Sequence, residues 1–296
     1  MKKYVIIGDS TCDLPKDIRE KYGIEYAQMN FVADGIEHRS SLDWEEYSPK
    51  EYYDLMRNGV LVKTTQVPRE EFVSVFSHWA KQGYDILYVA CSSGLSGSVG
   101  LATVVAAELK EEYPDINIIC VDSLISSIGQ GMLLVKAAML RAEGKSIEET
   151  AAWIEENKLK VNQCGTVESL EYLRRAGRVT ATSAFFGNIF GVKPLIISDI
   201  KGHNYAYRKV KGASNARKEV AKDTVAAAED IENNVVCISH ADCLQEAEKL
   251  RDEILSLAKF KDVYITYIGP VVGASVGPGT LITYVYGKKV IIEGKE

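Results

Sequence analysis

Several things are missing from this 296-residue chain, and each absence removes a class of function. It has no Cys-x-x-Cys pair, and its four histidines, His38, His78, His203 and His240, never fall at metal-ligand spacing. No metal site is therefore expected. There is no long basic run and the net charge is −6, so nucleic acid is not an expected partner. Neither G-x-G-x-x-G nor G-x-x-x-x-G-K-[ST] occurs, which removes the common phosphate-cradling loops. Residues 263–287 contain no charged side chain, a length sufficient to span a bilayer. Gly269-Pro270 and Gly277-Pro278-Gly279 break that stretch, so it reads as two buried strands around a glycine-rich turn, with no stable membrane insertion. The six cysteines sit mostly in apolar runs; buried free thiols point to a reducing compartment and a cytoplasmic location. The opening apolar run meets Asp9 at once and reads as a first strand rather than a targeting segment.

What is present is organised around residues 86–102. Ile86-Leu87-Tyr88-Val89-Ala90 reads as a buried strand, Cys91-Ser92-Ser93-Gly94-Leu95-Ser96-Gly97-Ser98 as a small-residue loop, and 101–109 as a helix. Open α/β sheets hold ligands where such a strand ends over a helix amino terminus. Unpaired N–H groups there favour an anion. A second strand end, Tyr4-Val5-Ile6-Ile7 followed by Gly8-Asp9-Ser10-Thr11, is expected beside it, with a helix opened by Pro15. Residues 24–32 read as a strand, Ala33-Asp34-Gly35 as a hairpin turn and 44–57 as a helix. Thr64-Thr65-Gln66-Val67-Pro68 brings further hydroxyls to a helix over 70–81. Ser146, with Glu149 three residues on, marks a capping box. Strand–helix alternation over 1–164 implies a mostly parallel sheet covered by helices. The pattern then changes, and 165–296 is expected to be a second α/β domain with a mixed sheet, the ligand lying between the two.

The residues alone leave two functions open. One is a binding protein whose apolar interior takes a ligand. The other is a hydrolase or phosphotransferase acting on a small carboxylate or polyol, using the serine loop and the strand-end aspartates Asp9 and Asp122. His240 is the one histidine with a role to weigh as a base for Ser93 or Ser96, against the commoner role of a structural hydrogen-bonder.

Taken in order, Gly8-Asp9-Ser10-Thr11-Cys12-Asp13-Leu14-Pro15, Thr64-Thr65-Gln66-Val67-Pro68, Ser92-Ser93-Gly94-Leu95-Ser96-Gly97, Asp122-Ser123, Leu170-Glu171-Tyr172-Leu173, Gly177-Arg178, Lys193-Pro194 and Gly277-Pro278-Gly279 resemble the DegV family of bacterial fatty-acid-binding proteins over nearly the whole length. The resemblance implies a long-chain fatty acid buried between two α/β domains, no catalytic residues and no other cofactor. It implies a carboxylate held by Thr64, by a serine of the loop (Ser93, with Ser92 and Ser96 as alternatives) and by Ser275. That serine stands where the family usually has histidine, so the headgroup loses a group able to charge near neutral pH. The resemblance also implies a partner, a fatty acid kinase that makes acyl phosphate for phospholipid synthesis, with Arg178 near the docking region. Arg178 alternatively serves only its own helix end. The apolar segment 183–189, with Phe185, Phe186 and Ile189, is expected to line the acyl tunnel, or else to be ordinary core.

Overall fold

The computed structural model describes residues 2–181, 185 and 191–294. Phe186 and Ile189 lie outside the described residues. In chain order the first half contains β1 (Tyr4–Asp9), α1 (Lys16–Tyr22), β2 (Ile24–Ala27), β3 (Asn30–Ala33), β4 (Ile36–Arg39), α2 (Pro49–Arg57), β5 (Lys63–Thr64), α3 (Arg69–Lys81), β6 (Asp85–Ala90), α4 (Ser98–Glu112), β7 (Ile118–Asp122), α5 (Ser127–Ala142) and α6 (Ile147–Asn157). The second half continues with β8 (Val161–Thr166), α7 (Glu171–Ala176), β9 (Val179–Thr180), β10 (Val192–Ser198), β11 (Asn204–Lys211), α8 (Ala213–Ala227), β12 (Val235–His240), α9 (Leu244–Leu257), β13 (Asp262–Tyr267), α10 (Pro270–Val276) and β14 (Leu281–Tyr286).

Among the described residues these strands form three sheets: a parallel one in the order β2-β1-β6-β7, a small antiparallel one, β4-β3-β5, and a mixed one, β13-β12-β14-β8-β10-β11-β9. The central strands β1 and β6 are buried along their whole length, as the unbroken apolar runs require. Their side chains alternate between two cores. Val5, Ile7, Ile86 and Tyr88 meet Phe72 and Phe76 of α3 and Ala102 and Val105 of α4. Ile6, Leu87 and Val89 meet Leu133, Leu134 and Ala137 of α5. That second core runs on into Cys237, Ile282 and Tyr284 of the mixed sheet, so α5 lies between the two large sheets. Its first turn tolerates this because Gly129 has no side chain: a Cβ there would sit 2.6 Å from the Tyr284 ring. β8 belongs to the mixed sheet from Val161 onward, so residues 161–164 sit with the second half.

Three sequence expectations need correction. The strand expected over 24–32 is two strands in two sheets. The Glu71 carboxylate takes the Gln28 N–H and the Ser10 hydroxyl takes the Met29 N–H, which ends the first ladder. The helix expected over 44–57 starts only at Pro49, behind a Ser48–Glu51 capping box, and Trp44 at φ +57° cannot continue a helix. The glycine-rich turn between the last two strands is α10. Pro270 opens it at its first position, and Gly277 at φ +78° closes it. Tyr52 and Tyr53 of α2 donate to the carbonyls of Pro270 (2.6 Å) and Ile268 (2.7 Å), fixing its start. Among the described residues no helix is long and apolar enough to cross a membrane.

Candidate functional site

The carboxyl ends of β1, β6 and β7 carry Asp9, Ala90 and Asp122, and the loops that follow them face α10 and the mixed sheet. Between the sheets lies a cavity of about 160 Å³, here the interior cavity, which is itself partly open to solvent past Thr65, Gln66 and Gly97. Its apolar wall is Met29, Val271, Val272, Val276 and Ile282; Thr11, Cys91 and Tyr284 also line it. A second cavity of about 250 Å³, here the surface cavity, adjoins it beside Leu61, Lys63, Tyr172 and Arg175. The two share Thr64, Arg178 and Ser275. No carboxylate lines either cavity among the described residues, whereas Lys63, Arg175 and Arg178 do. Gly97, the N-cap of the 15-residue helix α4, lies on the same wall; it offers no side chain, and the Ser96 hydroxyl accepts only the first helical N–H, that of Ser98, at 3.3 Å. Cations and unpaired helix N–H groups together make this wall favour an anion.

The expected headgroup residues divide. Thr64, Ser96 and Ser275 line the interior cavity. Ser96 also pairs with the Ser98 hydroxyl at 2.9 Å. Ser92 is buried and committed elsewhere: its hydroxyl donates to the Gly202 carbonyl (2.9 Å) and accepts from the Gly94 N–H. This contact requires glycine at 202, where φ is +76° and a Cβ would lie 2.0 Å from the Ser92 oxygen. Ser93 is exposed, lines neither cavity, and gives its N–H to Asp122. Arg178 reaches the cavity with its guanidinium donating to the Leu95 carbonyl at 3.0 Å and to the Ala176 carbonyl at the end of α7. Phe185 is half-buried against the core, with the Lys209 ammonium 5.3 Å from its ring centroid, and it is not part of the cavity wall.

The aspartates and the histidine weighed for catalysis are occupied. One Asp9 oxygen accepts from the N–H and hydroxyl of Thr11, and the other from the Tyr88 hydroxyl (2.8 Å) and the Cys91 N–H (2.9 Å). Asp122 accepts from the N–H groups of Ser93 and Leu124. Both carboxylates hold the loops in place. His240 is 1% exposed, its ring centroid is 4.3 Å from that of Tyr267, and it accepts from the Cys243 N–H. Burial pushes its pKa down to about 4, so it is neutral, and it lines neither cavity. No group of metal-ligand type is found among the described residues.

Sequence reasoning missed Gln163, Asn204 and Ser126 on the interior wall. The available signal was a polar residue inside an otherwise inward-facing strand, as Gln163 is in β8.

The fold is of the α/β class, with a cavity between a parallel and a mixed sheet whose border with the second cavity carries hydroxyls and cations. The chain belongs to the DegV family: the model described as "Uncharacterised protein, DegV family" matches residues 3–287. A DegV domain-containing protein of Clostridium perfringens is 37% identical over 97% of this chain and 98% of its own length. Another from Streptococcus pyogenes is 33% identical over 96% of this chain and 98% of its own length. Among solved structures, a DegV family protein from Thermus thermophilus, described by its fatty acid binding, superimposes with a TM-score of 0.87 at 28% identity, covering 97% of this chain and all of that one. DegV of Bacillus subtilis, described as a fatty-acid-binding protein, gives 0.80 at 26% identity, with 97% and 100% covered.

Proposed function

We propose that this protein binds a long-chain fatty acid between its two halves, the second beginning with β8 at Val161, and presents the carboxyl group to a fatty acid kinase. The observation that carries this reading is the paired character of the cavity. An apolar wall of Met29, Val271, Val272, Val276 and Ile282 meets a mouth of Thr64, Ser275 and Arg178 that holds no carboxylate among the described residues. Burying a sixteen-carbon chain supplies roughly 10 kcal/mol at about 0.8 kcal/mol per CH₂. Two hydroxyls and an arginine orient the acid, and no catalytic group is required. The relatives described as fatty-acid-binding proteins support the assignment. Arg178, Arg175 and Lys63 form the cationic rim on which we place the kinase contact and the approach of the transferred phosphoryl group. Acyl phosphate for phospholipid synthesis is the corresponding product. Six free thiols suit the reducing cytoplasm in which that chemistry runs.

The interior cavity matches in size the engineered cavity of about 150 Å³ that admits benzene. A long chain therefore also uses the surface cavity or displaces part of the wall. Mass spectrometry of lipid extracted from the denatured, freshly purified protein tests the ligand. We expect one long-chain fatty acid per chain. Absence of lipid together with turnover of ester or phosphate substrates would instead support the hydrolase or phosphotransferase reading.

A further inference from the structure

Gln163 and Asn204 are 3% and 7% exposed, and both line the interior cavity but not the surface one. They stand on β8 and β11, with β10 between them in the sheet, and the Gln163 amide donates to the Asn204 carbonyl oxygen at 3.0 Å. The Asn204 amide donates in turn to the Arg178 backbone carbonyl at 3.1 Å. These two bonds use only part of the capacity of two primary amides, each of which has two N–H donors and an acceptor oxygen. Among the described residues the Gln163 carbonyl oxygen has no hydrogen-bond partner. Ser126 lines the same cavity at 6% exposure. It precedes α5, yet its hydroxyl caps nothing and is likewise unpartnered among the described residues.

A cavity built only for methylene groups gains nothing from such a wall. A plain alkyl chain laid against it excludes water and leaves an amide oxygen and a hydroxyl unbonded, which weakens binding. We infer that the preferred ligand is a fatty acid bearing a hydroxyl group along its chain, read by Gln163, Asn204 and Ser126. A hydroxyl fits better than an oxo group, because the open Gln163 oxygen needs a donor while Ser126 and the free amide N–H groups can donate to the hydroxyl oxygen. This reading spot is distinct from the mouth, since Thr64, Ser275 and Arg178 border both cavities and these three residues border only the interior one. The inference rests on the cavity being an acyl site.

The test is calorimetric titration of the delipidated full chain with stearic acid, 10-hydroxystearic acid and 12-hydroxystearic acid. The wild-type chain is expected to bind at least one hydroxylated acid about tenfold more tightly than stearic acid. The Gln163→Leu, Asn204→Leu double variant is expected to lose that preference while still binding stearic acid. Equal or tighter binding of stearic acid by the wild-type chain overturns the inference and leaves fatty acid binding standing. This comparison needs no variant to fold. A double variant that keeps the preference for a hydroxylated acid also overturns it. Failure of every acid to bind the wild-type chain overturns the acyl site itself.

Discussion

Replacing Thr64 with valine weakens fatty acid binding about tenfold or more, and adding Ser275→Ala brings the loss to roughly two or three orders of magnitude. In the proposed complex each hydroxyl donates to an ionised carboxylate, a bond worth about 1.5–3 kcal/mol when its partner is left buried without it. Valine keeps the shape of threonine, so the loss reports the bond rather than the packing. Both residues lie where the interior and surface cavities meet, so neither substitution opens the apolar core. Ser93→Ala serves as the control, because its side chain is exposed and away from both cavities, and the affinity is expected to stay within twofold. Calorimetric titration with palmitate reads all three. Equal affinities for the wild-type chain and the Thr64, Ser275 double variant would move the carboxylate elsewhere.

The second large effect is on stability against pH, and it pairs two buried groups of opposite sign. Asp13 is fully buried, accepting from the Ser127 hydroxyl (2.6 Å) and the Gly269 N–H (2.9 Å), and it forms no ion pair among the described residues. Burial outweighs those two bonds and pushes its pKa up to about 7. Its unfolded value is near 4, so between pH 4 and 7 the native chain holds a proton that the unfolded chain has lost. Its contribution therefore declines as pH rises, by about 4 kcal/mol over that window, and is constant above it. His240 works the other way. With a folded pKa of about 4 against 6.5 unfolded, it contributes stability that is complete above pH 6.5 and falls by about 3 kcal/mol as pH drops to 4. The two slopes nearly cancel between pH 4 and 6.5. Asp13→Asn is expected to unmask the histidine, giving stability that climbs more steeply with pH than in the wild-type chain. His240→Phe is expected to unmask the aspartate, giving stability that falls with pH. Urea midpoints at half-unit intervals from pH 4 to 8 measure both, and parallel curves for all three chains would refute the assignment.

Much of the site was legible because a parallel sheet constrains where ligands go. Once Ile86–Ala90 and Tyr4–Ile7 read as buried strands, the loops after Asp9 and Ala90 had to lie together at one edge, as they do. Thr64 and Ser275 followed from resemblance, and the cavity brings them together. Which serine of the loop faces inward was not legible. Ser92 turns toward Gly202 and Ser93 toward solvent because of a contact made 110 residues away in sequence. α10 was hidden for a related reason. Seven uncharged residues, two of them proline and glycine, have little helical propensity, and the helix depends on Tyr52, Tyr53 and Asp13 of the first half. The Gln163–Asn204 pair joins strands 41 residues apart, a pairing that no local pattern announces.

The most direct measurement is a crystal structure of the protein purified with its own lipid. It should show a fatty acid whose carboxylate lies within hydrogen-bonding distance of the Thr64 and Ser275 hydroxyls, with the alkyl chain running along Met29, Val271, Val272 and Ile282. Density for the acid at any other surface, or a carboxylate at the Tyr284 end of the cavity, would contradict it.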